Sequence, residues 1–144
     1  RDLVRSRGLG DVYKRQTYIF EDLRAFMTEN KIMPVLLTYD KWKVDEILRL
    51  FDNYYGLETF NVQQNTKTLS QPLKLYKAKI GAGKVLFDDP IMSWCHSNVN
   101  VKIDANDNIF PNKEKAKDKI DVFSSNLDCF VGYLKMKEDI QYYF

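Results

Sequence analysis

Few side chains in this 144-residue chain are placed to do chemistry, and the most promising are aspartates. Asp40 directly follows the apolar run Val35-Leu36-Leu37-Thr38-Tyr39. In open α/β sheets ligands bind beyond the carboxyl ends of parallel strands, so an acid there is well placed for function. An Asp ahead of Lys41-Trp42-Lys43 is equally a good helix N-cap, and the spacing alone leaves both readings open. Asp121 precedes the longest apolar stripe, in a first helical turn where the helix dipole favours an acid. Asp128 lies two turns further along roughly the same face, as a second acid or as a surface residue. His96 is the sole histidine. Its neighbour Cys95 is adjacent, which does not match the chelate spacings of zinc sites, and a Cys–His nucleophilic pair has no other support. Gly81-Ala82-Gly83-Lys84 has the look of a phosphate loop but not the GxxxxGK[ST] spacing, and it follows a helix, so it reads as a helix stop. Lys113, Lys115, Lys117 and Lys119 are interrupted by Glu114 and Asp118; they form either a solvated loop or a phosphate contact.

Apolar spacing predicts the elements that carry these residues. Ile19, Leu23, Phe26 and Met27 recur at helical spacing over 17–30. Pro34 ends that pattern, and Val35 to Tyr39 reads as a short buried strand. Val44, Ile47, Leu48, Phe51 and Tyr55 mark a second helix closed by Gly56, and Thr59 to Val62 returns as a strand. A third helix is expected from about Ser70 to Ile80, with Pro72 in its first turn and Gly81 and Gly83 at its end. Pro90 opens a short segment holding Trp94. Val99, Val101 and Ile103 alternate with polar residues as a half-buried strand does, and Asn106-Asp107-Asn108 turns it back toward Ile109-Phe110. Ile120, Phe123, Leu127, Phe130, Val131 and Leu134 make a final helix of five turns or more. Helices alternating with strands through short connections predict an α/β fold with a parallel pair near Val35–Tyr39 and Thr59–Val62.

Composition narrows the class. With 44% hydrophobic and 29% charged residues the chain is no disordered segment, and no apolar run approaches the ~18 residues of a membrane span. Two cysteines are too few for a disulfide framework. The formal charge of +2 comes from the first sixteen residues, which hold five of the 22 basic and two of the 20 acidic side chains. That stretch, RDLVRSRGLGDVYKRQ, reads as a basic arm or as a foreign leader. SRGLGDVYKRQ resembles a peptide translated from adapter or vector sequence, so residues 1–16 are expected to be non-native and 17–144 to be the domain. On that reading part of the native protein lies upstream of Thr17.

Five ordered motifs carry a resemblance. Leu37-Thr38-Tyr39-Asp40-Lys41-Trp42 resembles a YD-x-W strand end, and Leu69-Ser70-Gln71-Pro72-Leu73-Lys74 an LS-x-x-x-K helix start. Asp89-Pro90-Ile91-Met92-Ser93-Trp94-Cys95-His96-Ser97-Asn98-Val99 resembles NP-x-x-x-W-x-x-x-NV. Asp104 to Lys113 follows D-x-x-x-N-x-x-P-x-K, and Lys119-Ile120-Asp121 follows KID. Together they resemble the C-terminal nuclease domain of the tailed-phage terminase large subunit. The helix after KID departs from the family's small, Ala-rich face, with Val122-Phe123-Ser124-Ser125-Asn126.

The resemblance implies a partial ribonuclease H-like domain: a mixed sheet flanked by helices, lacking the N-terminal strands. It implies two-metal-ion cleavage of concatemeric phage DNA during packaging, with Asp40 and Asp121 as metal-binding, catalytic acids and Mg²⁺ or Mn²⁺ as the ions. Paired carboxylates suit such ions, which activate water and stabilise a leaving oxygen. Lys113, Lys115, Lys117 and Lys119 become candidate DNA contacts. Double-stranded phage DNA, a portal and a small terminase subunit are the implied partners, in the cytoplasm of a bacterial host and away from membranes. The family's first acid and its ATP-using motor are expected outside this chain, leaving it inactive alone. Another ribonuclease H-like nuclease of resolvase or transposase type, or a non-enzymatic DNA-binding or assembly module, are the alternatives.

Overall fold

The computed structural model describes residues 2–41 and 44–140. They form five α-helices, two two-stranded sheets and one 3₁₀ turn. The fold is mixed α/β as expected, but the strands stand as two separate pairs where one mixed sheet was expected. The chain divides into two compact units: Arg1–Leu37 with Lys41–Phe60, and Thr38–Asp40 with Asn61–Phe144.

In the first unit, α1 (Asp2–Glu29) begins well before the expected start near Thr17. Residues 2–16 contain no proline, and Gly8 and Gly10 cost only about 1 kcal/mol each in a helix. None of residues 10–15 is buried, whereas Gln16 and Phe20 are. The helix closes through Lys31, whose φ of 56° lets its N–H reach Thr28 O and the Ile32 N–H reach Met27 O at 2.8 Å. α2 (Asp45–Tyr55) has no side-chain cap of its own at Val44. Instead the Gln16 side-chain carbonyl accepts from the Ile47 N–H at 3.0 Å, satisfying a first-turn donor that sequence neighbours leave free. Gly56 ends α2 in the left-handed conformation (φ 58°), as its position predicts. Phe20, Met27, Phe51 and Leu57 form the core, with the Phe20 and Phe51 rings edge to face at 5.0 Å.

The strands β1 (Leu37–Tyr39) and β2 (Thr59–Asn61) pair. The Leu37 N–H donates to Glu58 O, and two residues on the Val62 N–H donates to Tyr39 O. Both bonds advance along the chain in the same sense, so the pair is parallel, as expected.

In the second unit, α3 (Thr66–Gly81) starts four residues earlier than predicted. Asn65 is its N-cap and accepts from the Thr68 N–H. Pro72 therefore lies inside the helix, not in its first turn; the cap chemistry of Asn65 outweighs the boundary that Pro72 suggests. Gly83 (φ 66°) closes α3, with Lys84 N–H to Lys79 O and Gly83 N–H to Ile80 O, so the Gly-Ala-Gly-Lys segment is a helix stop. α4 (Pro90–Ser97) is capped by the Asp89 carboxylate. β3 (Val101–Ile103) and β4 (Ile109–Pro111) form the expected antiparallel hairpin, Val101 opposite Pro111 and Ile103 opposite Ile109. β3 is not half-buried as its alternation predicts: Val101 and Ile103 are 38% and 66% exposed. α3 packs on β4, leaving β3 as the outer strand. α5 (Asp121–Ile140) packs on α3 and α4 through Phe123, Leu127 and Val131.

Candidate metal centre at the strand ends

Asp40 follows β1 and is exposed. It does not cap α2, whose N-cap position is Val44, so the simple structural explanation for this acid is removed. Trp42 of the YD-x-W motif lies outside the described residues. Because the Val62 N–H is bonded to Tyr39 O, the segments holding Asp40 and Gln64 leave the parallel pair from adjacent strand ends. The Gln64 amide nitrogen donates to Val62 O at 3.1 Å and to Asp128 Oδ1 at 3.0 Å. A single side chain thus ties the end of β2 to the middle of α5.

The Asp40 charge bears on Asp128 across that strand end. Burial pushes the Asp128 carboxyl above the usual carboxylate range; the Gln64 hydrogen bond opposes this, the Asp40 charge adds to it and Lys113 opposes it. A half-buried carboxylate whose ionisation is opposed first by burial and further by a second acid's charge is a setting that a divalent cation would relieve. Their donor chemistry, hard carboxylate oxygens, is that taken by Mg²⁺, Mn²⁺ or Ca²⁺. The fit is partial. Among the described residues no three His, Cys, Asp or Glu side chains stand close enough to share one metal ion.

Asp121 is exposed at the first position of α5, where the Ile120 carbonyl already accepts from the Ser124 N–H. The helix dipole accounts for an acid there without further function. Lys113 opens the 3₁₀ turn Lys113–Lys115 and is the one member of the lysine series whose charge acts on Asp128. Lys113, Lys115, Lys117 and Lys119 are all exposed. Their loop is held in place by asparagines: Asn98 donates to Lys119 O, Asn100 to Lys115 O, and buried Asn112 accepts from the Lys115 N–H.

His96 is a packing residue. Its Nδ1 meets Met92 O at 2.7 Å, and since a carbonyl can only accept, Nδ1 carries the proton and Nε2 accepts from the Tyr76 hydroxyl. Phe87 and Phe123 flank the ring edge to face. An apolar cavity of about 640 Å³, lined by Tyr76, Leu86, Met92, Phe130 and Tyr133 among others, contains none of the three aspartates. Asp128 was open to a sequence reader through its seven-residue spacing from Asp121; Gln64 carries no sequence signal, because its partner is 64 positions away.

The family described as "Terminase large subunit, endonuclease domain" matches residues 16–138. The crystal structure of the HK97 bacteriophage large terminase superimposes with a TM-score of 0.67 at 19% identity over 81% of this chain. At that identity the likeness concerns the fold. The chain spans about a quarter of that terminase, 24% of its length. No curated protein matches. The family match runs through all four strands and through both Asp40 and Asp121: the chain belongs to the terminase large subunit endonuclease domain family.

Proposed function

We propose that this chain is part of a ribonuclease H-like nuclease domain that cuts double-stranded phage DNA during packaging, using two divalent ions. The observation that supports the reading is the placement of Asp40, beyond the carboxyl end of a parallel strand whose partner strand is tied by Gln64 to Asp128 on α5. Asp40 and Asp121 are the acids that the family motifs select, and Asp128 is the carboxylate that the geometry adds. Asp40 and Asp128 are fitted to hold one Mg²⁺ or Mn²⁺; Asp121 belongs to the remainder of the site in the complete enzyme. Gln64 engages one oxygen of Asp128 and so fixes the direction of the other. Lys113, with Lys115, Lys117 and Lys119 behind it, offers positive charge to a phosphate approaching the acids. A bound divalent ion supplies Lewis acidity and charge neutralisation at the scissile phosphate.

On this reading the whole protein would act in a bacterial cytoplasm with an ATP-driven motor, a portal and a small terminase subunit. No helix among the described residues is long and apolar enough to cross a membrane. With two carboxylates gathered, the chain alone is expected to bind Mn²⁺ weakly and to leave DNA uncut.

The test is a Mn²⁺ titration followed by paramagnetic broadening of backbone amide resonances. Broadening should centre on Asp40, Val62, Gln64 and Asp128, and Asp40→Asn should weaken it more than about tenfold while leaving thermal stability nearly unchanged. A cap residue would behave oppositely, losing ~1 kcal/mol of stability with no change in Mn²⁺ response. Broadening centred elsewhere, or unaffected by Asp40→Asn, sinks the metal assignment.

A further inference from the structure

The LS-x-x-x-K motif is not absorbed by the metal centre. Its serine and lysine open onto a different feature, a cavity of about 440 Å³ between α3 and the β3–β4 turn. Thr66, Lys67, Ser70, Gln71 and Lys74 line it from the helix, and Asp104 and Asn108 from the turn. Every lining side chain is polar. Lys67, Gln71 and Lys74 lie at i, i+4 and i+7, one exposed face of α3.

The walls are fixed. Ser70 is buried, and its Oγ accepts from the Ile109 N–H at 3.0 Å, bolting the helix to the hairpin. Asp104 is the one acid in the cavity, and it is committed to the turn. Its carboxylate accepts from the Asn106 and Asn108 N–H groups, both at 2.9 Å, and from the Asn108 side-chain amide at 3.0 Å. The Asn108 amide bond, the turn N–H groups and the nearby Lys74 charge hold that carboxyl below its usual range. With its acid occupied internally, the cavity presents two ammonium groups, a carboxamide and a hydroxyl beside the first turn of α3. Neither lysine forms an ion pair among the described residues.

We infer that this groove is a binding site for a phosphodiester backbone, contacted by Lys67 and Lys74 with Gln71 between them. The inference rests on the reading of the domain as one that meets DNA, and it assigns contacts apart from the 113–119 lysines. Donors without base-edge geometry specify charge and shape, so the contact is sequence-independent. Lysine suits this use as a point charge toward phosphate.

The test is duplex-DNA binding by the whole chain over a salt series, without metal, for wild type and Lys67→Gln/Lys74→Gln. Each phosphate contact contributes about 0.9 to the slope of log affinity against log salt, so the double variant should lose about 1.8. Between about 50 and 200 mM salt the wild type should therefore weaken about tenfold more than the variant. Amide shifts on DNA addition should map to Thr66–Lys74 and Asn106–Ile109. An unchanged slope, shifts confined to 113–119, or no duplex binding by the wild type overturns the groove. Mn²⁺ broadening at Asp40 and Asp128 is unaffected by the two substitutions, so failure here is distinguishable from failure of the metal site.

Discussion

The start and the middle of α5 each carry an aspartate, seven residues apart, in opposite settings. Asp121 is exposed at the helix start, where the dipole welcomes a negative charge. Asp128 is half-buried, and its ionisation is opposed by burial first and by the Asp40 charge after it. The first position is favourable for any folded helix. The second is costly, and the fold holds it in place with a hydrogen bond from Gln64. An acid kept where it destabilises the apo protein points to a ligand; an acid kept where it stabilises does not. Motif matching selects Asp121 and local energetics select Asp128, so the two signals are independent and can be tested against each other.

The sharpest way to break this contrast is to remove Asp128's charge while keeping its hydrogen bond. Asp128→Asn retains an acceptor for Gln64 and should weaken the Mn²⁺ response around Asp40 by more than about tenfold. Gln64→Met keeps the side-chain bulk, frees Asp128 to turn, and should weaken it by about tenfold, with rescue in no variant that lacks a donor. If Gln64→Met leaves Mn²⁺ affinity untouched while lowering stability, Gln64 is a structural tie and positions nothing.

Asp128→Asn should also have the reverse effect on stability, with a defined pH dependence. The native carboxyl titrates above its unfolded value of about 4, so between those values the folded state binds more protons than the unfolded state. Stability contributed by this group therefore falls as pH rises through that interval, and the full penalty persists above it. Substitution by Asn should raise the melting temperature at neutral pH, and the gain should vanish below pH ~4. Melting curves at neutral and acid pH check this. A variant less stable than wild type at neutral pH would show that Asp128's ion is structurally favourable and would erase the contrast with Asp121.

These contrasts show which features were legible in the sequence. Elements closed by local chemistry were readable: Gly56 and Gly83 occupy the left-handed positions that end α2 and α3, and Asn106–Asn108 turn the hairpin. The first strand followed from Pro34 and Asp40, which bound it, and the parallel pair from the alternation of helices and strands through short connections. Errors arose where two local signals competed. Pro72 suggested a helix start, but Asn65 caps the helix seven residues before that proline. The alternation of Val99, Val101 and Ile103 predicted burial that only a covering layer can supply, and α3 covers β4 instead. The placement of Asp40 was readable, but its cap alternative could be dismissed only once α2 was seen to begin at Asp45. Nothing local reveals that Gln16 caps α2 or that Gln64 holds Asp128, since each acts across more than thirty residues.

The smallest expected effect falls on Asp121, and it sharpens the comparison from the other side. In this chain Asp121 is gathered with no pair of metal-binding groups among the described residues, and it lies in the first turn of α5. Asp121→Asn should then cost about 0.3–1 kcal/mol of unfolding free energy at low ionic strength. Because the position is exposed, that cost should shrink in ~1 M salt, where screening acts within about 3 Å. Urea unfolding at both salt concentrations measures it. The Mn²⁺ broadening pattern around Asp40 should be unchanged in the same variant, since Asp128 supplies the partner charge. Should Asp121→Asn instead abolish the broadening, with no salt-dependent loss of stability, the motif has identified the ligand and the repulsion between Asp40 and Asp128 is a property of the metal-free chain alone. The two aspartates of α5 then exchange roles: the favourable position becomes the functional one, and Gln64 would hold Asp128 only to secure the helix to the strand end.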